Sequence, residues 1–213
     1  VRYDDPDVLR DVFKAVDDGN TANLRFYLTD GLDPDAKDPQ TGMPLLHRAV
    51  NEGQLEAAKL LLDAGADPNA HGGPSYYTAV HFAVYKNNAD ALQLLLHPKY
   101  AADAEATNSD GQTALHMTGW FGRQPLAEIL VQHGADPGAA DRRGKTPMDV
   151  ADARAQEFLD FAQQEFLLTA RFLRQALIEK TGAEVTAAAQ RDKLGHDLDA
   201  LKKLNPQRFR LKP

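Results

Sequence analysis

A chain of 213 residues that is 43% apolar is long enough to bury a sizeable core and too hydrophobic to be a disordered tail. Its 24 basic and 31 acidic side chains give a formal charge of −7, which argues against general affinity for nucleic acid or anionic lipid, since both favour basic surfaces. Apolar runs are only a few residues long, so no segment reads as a membrane span, and the absence of cysteine removes disulfides, thiolate zinc sites and cysteine nucleophiles together.

Along the chain the same parts recur. "VLRDVFKAVDDGNTANLRFYLTDGLDPDA" comes first, with an apolar stretch from Leu24 to Leu28 between Gly19 and Gly31. Clearer copies follow as "GMPLLHRAVNEGQLEAAKLLLDAGADPNA" from Gly42, "YYTAVHFAVYKNNADALQLLLHPKYAADAEA" from Tyr76 and "GQTALHMTGWFGRQPLAEILVQHGADPGA" from Gly111. They place His47, His81 and His116 at spacings of 34 and 35 residues, a period that signals a solenoid of stacked units.

Each copy predicts a short helix opened by a hydroxyl at its cap, at Thr78, Thr113 or Thr146, whose oxygen can accept from a free backbone N–H. Pro147 suits a first helical residue, whose N–H has no partner in any case. A second helix carries the apolar stripe: Leu60 to Leu62, Leu94 to Leu96, and Ile129 with Leu130 and Val131. It ends at Gly65 or Gly134, which can take the left-handed cap that a side chain resists. A polar turn such as "DPNAHGG" or "DPGAADRRG" completes the unit. "GKTPMDVADARAQEFLDFAQ" repeats Gly144, Thr146, Pro147 and Ala151, with Asp149 at the histidine position.

In register, these residues resemble the ankyrin repeat, whose pattern runs G-x-T-P-L-H-x-A-A, a glycine corner, a leucine helix and G-A-D-x-N-A. The resemblance covers residues 1 to about 155. It implies an all-α ankyrin-repeat solenoid of about five helix-pair repeats with β-hairpin loops, the end copies atypical as a finite stack requires. It also implies that each histidine ties its helix start to the adjoining loop, and that proteins bind along the concave side. Departures are expected to show: Pro44 replaces the capping threonine, "HPKYAA" inserts two residues and puts Ala101 at a glycine position, and "HGGPSYY" runs one residue long.

Other chemistries fail on spacing. Histidines on helices roughly 8 to 10 Å apart cannot share a zinc ion that holds its ligands at about 2.0 to 2.1 Å. "GAADRRGKT" has five residues between Gly138 and Gly144 where a phosphate loop needs four, and no strand precedes it. Esterase, zinc-protease and calcium-loop motifs are absent from the sequence, so no catalytic residue, cofactor or metal is assigned.

In the ankyrin arrangement the variable positions are hairpin tips, the residue before the cap and the two residues before the corner glycine. Here these are Met43, Asn51 and Glu52, then Tyr77, Tyr85 and Lys86, then Gln112, Trp120 and Phe121, and finally Arg142, Arg143 and Lys145. Four aromatics would line one groove, with Trp120 on display and Phe121 either displayed or packed against the outer helix. Charge is graded along it, from Asp17, Asp18 and Glu52 to the late cations, and this either orients a partner or is ordinary solvated charge.

From Ala155 the resemblance stops. "AQEFLDFAQQEFLLTARFLRQALIEK" predicts one helix of about seven turns, apolar on more than one stripe through Phe158, Leu159, Phe161, Phe166, Leu167, Phe172, Leu173 and Leu177. A second helix over "EVTAAAQRDKLGHDLDALKKL" would cover it, so residues 156–213 read as a helical C-terminal extension with a basic tail. The competing cover is a partner or a dimer through these helices. The leading expectation is a noncatalytic module for a folded protein partner, either monomeric or dimeric, acting as inhibitor, immunity-type neutraliser, chaperone or adaptor. The alternatives are an enzyme with its site in the extension around His196, and a self-assembling scaffold. The compartment stays open between the cytoplasm, as default, and export to the periplasm or beyond.

Overall fold

The computed structural model describes residues 3, 5–157 and 163–181. Ten helices are found among them, in five pairs: α1 (Pro6–Asp17) with α2 (Thr21–Thr29), α3 (Leu45–Asn51) with α4 (Leu55–Asp63), α5 (Ala79–Tyr85) with α6 (Ala89–Leu96), α7 (Ala114–Phe121) with α8 (Gln124–Gln132), and α9 (Pro147–Glu157) with α10 (Gln163–Thr181). Odd-numbered helices stack on one another as an inner layer and even-numbered ones as an outer layer, while each pair is packed within itself. The core is therefore a ribbon running the length of the stack. Leu24, Leu45, Leu61, Leu92, Leu95, Leu115, Leu126 and Leu130 are fully buried in it, each contributing about 2 kcal/mol of transfer free energy.

Inner helices α3, α5, α7 and α9 start in three chemically different ways. At α5, Thr78 and His81 form a reciprocal box: His81 Nδ1 accepts from the Thr78 N–H at 3.2 Å and lies 2.8 Å from its hydroxyl. His81 Nε2 donates to the Gln112 carbonyl of the next hairpin at 3.0 Å. Thr113 and His116 repeat this at α7, with Nε2 on the Lys145 carbonyl at 2.9 Å. At α9 the Asp149 carboxylate substitutes for the imidazole, accepting from the Thr146 N–H and hydroxyl at 2.9 and 2.8 Å. At α3 the cap is Pro44, which has neither N–H nor hydroxyl; His47 still reaches the Tyr77 carbonyl at 2.9 Å, but its Nδ1 is buried without a partner.

The turns between units shrink to isolated antiparallel bridges, Lys37 with Pro44, Gly72 with Tyr77 and Thr107 with Thr113. Side chains stitch each turn to the next: Asp35 accepts from the Asp67 N–H, Asn69 from Asp103 and Glu105 from Asp136, at 2.7 to 2.8 Å. The departures leave local marks. In the longer "HGGPSYY" loop Tyr76 sits at φ 59°, stacked on His71 at 4.7 Å. Outer helices α2, α4 and α8 exit through Gly31, Gly65 and Gly134 at φ 91° to 99°, whereas the exit from α6 puts Ala101 at φ 52°.

The expected seven-turn helix from Ala155 is not what forms. Asp152 of α9 pairs with Arg174 of α10 at 3.1 Å, and Arg154 of α9 stands 5.9 Å from the Phe166 ring of α10. Residues 22 apart in one helix would be about 33 Å apart, so α9 and α10 lie side by side. The physical reason is stack completion: α10 covers α8 and α9 as an outer helix should. Phe166 and Leu173 are buried there and Phe172 packs against the core, while Lys180 pairs with Asp136 in the last turn. The boundary expected at 155 thus falls inside α9. Phe158, Leu159 and Phe161, the second extension helix, His196 and the basic tail lie outside the described residues.

Candidate functional site

Side chains from the ends of α5 and α7 meet across the third and fourth repeats. The Tyr85 and Phe121 rings contact edge to face, with centroids 5.7 Å apart at 71°. Arg123, just beyond the corner Gly122, lays its guanidinium 4.7 Å from the centre of the Phe121 ring and donates Nη1 to the Val84 and Tyr85 carbonyls. Those carbonyls belong to the last turn of α5, where backbone acceptors lack helical partners, so a forked cation both satisfies them and pins the corner. Phe121 is half-buried in this seam, with Tyr85 of inner helix α5 and Arg123 as its ring contacts.

Trp120 turns the other way, because successive residues on a helix point about 100° apart. Arg154 of α9 covers one face of the indole at 4.2 Å, while the side chain remains 47% exposed. Tyr85 is 48% exposed on the neighbouring repeat. Gly119 makes the Arg154 contact reachable: a Cβ there would lie 2.4 Å from the Pro147 carbonyl oxygen, so its absence lets α9 come close to α7.

Other expected positions are distributed less evenly. Tyr77 is turned into the seam, its ring stacked on His81 at 5.5 Å and edge-on to Phe82 at 5.7 Å, so two exposed aromatics rather than four mark the face. Met43 is half-buried against the core. Gln112 is half-buried too, with its carbonyl on His81 and its amide 3.5 Å from Asp141. Glu52 is exposed and accepts from Asn51. Lys86, Arg142, Arg143 and Lys145 are exposed. The last three sit on a turn shaped by the buried Asp141 carboxylate, which accepts from the Arg143 and Lys145 N–H groups at 2.9 Å. Burial pulls the Asp141 pKa upward, but these donors hold it below the usual carboxylate range.

A family model described as "Ankyrin repeats (3 copies)" matches three overlapping stretches, residues 12–107, 46–141 and 80–161. The chain belongs to the ankyrin-repeat family. Such repeats are protein–protein interaction modules and generally noncatalytic. The NF-kappa-B inhibitor cactus of Drosophila melanogaster is 29% identical over 121 residues, covering 47% of this chain and 24% of that protein. Potassium channel AKT1 of Oryza sativa subsp. japonica is 36% identical over 58 residues, or 27% of this chain and 6% of the channel. ARF GTPase-activating protein GIT1 of Homo sapiens is 49% identical over 41 residues, or 19% and 5%. This chain therefore spans a quarter or less of the length of these relatives. An inhibitor, a channel and a GTPase-activating protein share the repeat and not an activity, as expected when function resides in surfaces grafted on a common scaffold.

On this ankyrin stack the expected charge gradient is uneven. Asp17 is engaged by Arg48 through two hydrogen bonds, 2.5 and 2.8 Å, and Asp18 lies 3.5 Å from Lys14, so the early carboxylates already have partners. No helix among the described residues is long and apolar enough to cross a membrane, and no cluster of metal-binding type occurs among them. Sequence reading missed Arg123 and Arg154, whose partners are 38 and 34 residues away. A cation that stacks on a ring or binds a carbonyl of another repeat leaves no local signal.

Proposed function

We propose that this ankyrin-repeat protein is a noncatalytic module that engages a folded protein partner through its concave face and hairpin tips. It acts by occupying the partner's surface, as an inhibitor, immunity-type neutraliser, chaperone or adaptor. The observation carrying this reading is the pair Tyr85 and Trp120, each about half exposed on adjoining inner helices, whereas the other exposed large apolar side chains, Phe26, Tyr76 and Leu168, stand on outer helices or a turn. Tyrosine and tryptophan dominate binding energy because they bury large area while losing few rotamers. Arg154 against the indole and Arg123 on the Tyr85 carbonyl brace the corner in the free protein, which lowers the ordering cost of association. Similarity to cactus, named for inhibition, supports the inhibitor form within this list. In this reading residues 1–155 bind, α10 closes the stack, and residues 156–213 form an extension with a basic handle at its end.

The interface is expected to bury about 1,600 Å² in total. Affinity purification with the intact protein beside a Tyr85→Ala, Trp120→Ala variant identifies partners that depend on this face. Trp120→Ala alone is expected to weaken such a complex by about 2 kcal/mol while leaving helical circular dichroism intact. Equal affinity in that variant removes the hot spot.

A further inference from the structure

Some charges are matched within the stack: Arg10 with Asp7, Lys14 with Asp18, Arg48 with Asp17 and Arg174 with Asp152. In the third to fifth repeats, exposed Lys86, Arg142, Arg143 and Lys145 form no ion pair with any carboxylate among the described residues. Lys86 lies at the aromatic corner, and the Arg142–Lys145 turn lies beside Asp110 at the opposite end of α7 from Trp120. Lys86 follows Tyr85 directly, and the Lys145 carbonyl accepts from His116, one helical turn before Trp120. Of the two carboxylates on the adjoining turns, Asp141 is buried and spent on backbone N–H groups, which leaves Asp110 against the cations. These exposed cations thus stand at the two ends of the seam from which Tyr85 and Trp120 emerge, on a protein whose net charge is −7.

We infer that the late half of the concave face takes an acidic segment of its protein partner, with a large apolar side chain of that segment laid on the exposed face of Trp120. This rests on the concave-face reading above and adds the chemistry of the partner. Lys86 on one side and the Arg142–Lys145 turn on the other supply the complementary field, which steers encounter and rejects basic partners through like-charge contact. The guanidinium of Arg154 backs the indole, so the ring offers its remaining face without having to be ordered on binding. Unpaired surface cations cost nothing while solvated, so they can be kept for a partner's carboxylates.

Trp120 is the sole tryptophan of the chain, so its emission reports occupancy of this corner directly. The test is selection of short, random, tryptophan-free displayed peptides on the full-length protein, followed by titration of synthetic representatives against Trp120 fluorescence. The expected pool is enriched in Asp and Glu around one large apolar residue. Its members should lose about thirtyfold in affinity in Trp120→Ala, followed by anisotropy of labelled peptide. They should lose about tenfold in Lys86→Glu, Arg143→Glu and weaken as salt is raised. Both variants are checked for unchanged circular dichroism. A neutral or basic pool that still depends on Trp120 overturns the acidic assignment while leaving the concave-face reading standing. A pool indifferent to Trp120, or no enrichment at all, overturns both. Single-stranded RNA that shifts Trp120 emission at lower concentration than any selected peptide assigns the cations to phosphate and overturns the inference.

Discussion

The second and third repeats differ at one position in how they open their inner helices, and the difference separates what the imidazole does from what the cap does. At His81 both ring nitrogens are used: Nδ1 accepts from the Thr78 N–H, and Nε2 donates to the Gln112 carbonyl. At His47 the bond to the following hairpin survives, but Pro44 supplies nothing for Nδ1. The histidine is therefore first a tie between units and second a member of a cap, and the stack tolerates losing the second role. A buried acceptor without a donor still costs about 1 to 3 kcal/mol. Pro44 offsets part of that by fixing its own φ at −63°, pre-set for the position before α3.

The largest expected effect comes from deleting the rings. His81→Ala should lower stability by about 3 kcal/mol, since it strands the Thr78 N–H and the Gln112 carbonyl and leaves a cavity. His47→Ala should cost about 1 kcal/mol less, because only the Tyr77 carbonyl loses a partner. Urea unfolding of the two variants against the parent measures this, and equal losses would break the comparison. Acid probes both sites together. Burial lowers the pKa of His47 and of His81 to about 4, so each stays neutral in the native protein while the unfolded chain titrates near 6.5. Between those values the unfolded state binds more protons, so stability falls as pH drops from about 6.5 toward 4, by at most about 1.4 kcal/mol per pH unit per histidine. Thermal melts across that window should show the decline, and it should be shallower in His81→Ala. The smallest effect sharpens the comparison most: Pro44→Thr should restore the missing partner and gain about 1 kcal/mol. In a His47→Ala background that gain should largely vanish, as a double-mutant cycle would show.

These ties explain how much of the fold could be read in advance. Threonine, histidine and glycine positions act within one unit or on the next, so their spacing carries the architecture, and even Asp149 could be recognised by register. The aromatic corner was half legible. Position along the repeat points to Tyr85 and Trp120, but the turning of Tyr77 onto His81 and Phe82 is a packing outcome with no sequence signature. The Arg48 contact across repeats to Asp17 was likewise not legible, because charge pattern along the chain does not show which side chains meet. The division of the apolar stretch after Ala155 was hidden for a related reason: its phenylalanines and leucines suit a single rod as well as two helices, and the exposed flank of α8 decides between them.

Gly119 has a consequence for the shape of the whole trough. With no side chain between α7 and the Pro147 carbonyl, the last repeat leans in at an angle set by backbone against backbone. Any methyl group at that point would act as a wedge, prying the fifth unit outward and carrying Arg154 off the indole. Curvature and the readiness of the aromatic corner are thereby governed by a single hydrogen atom at the base of Trp120.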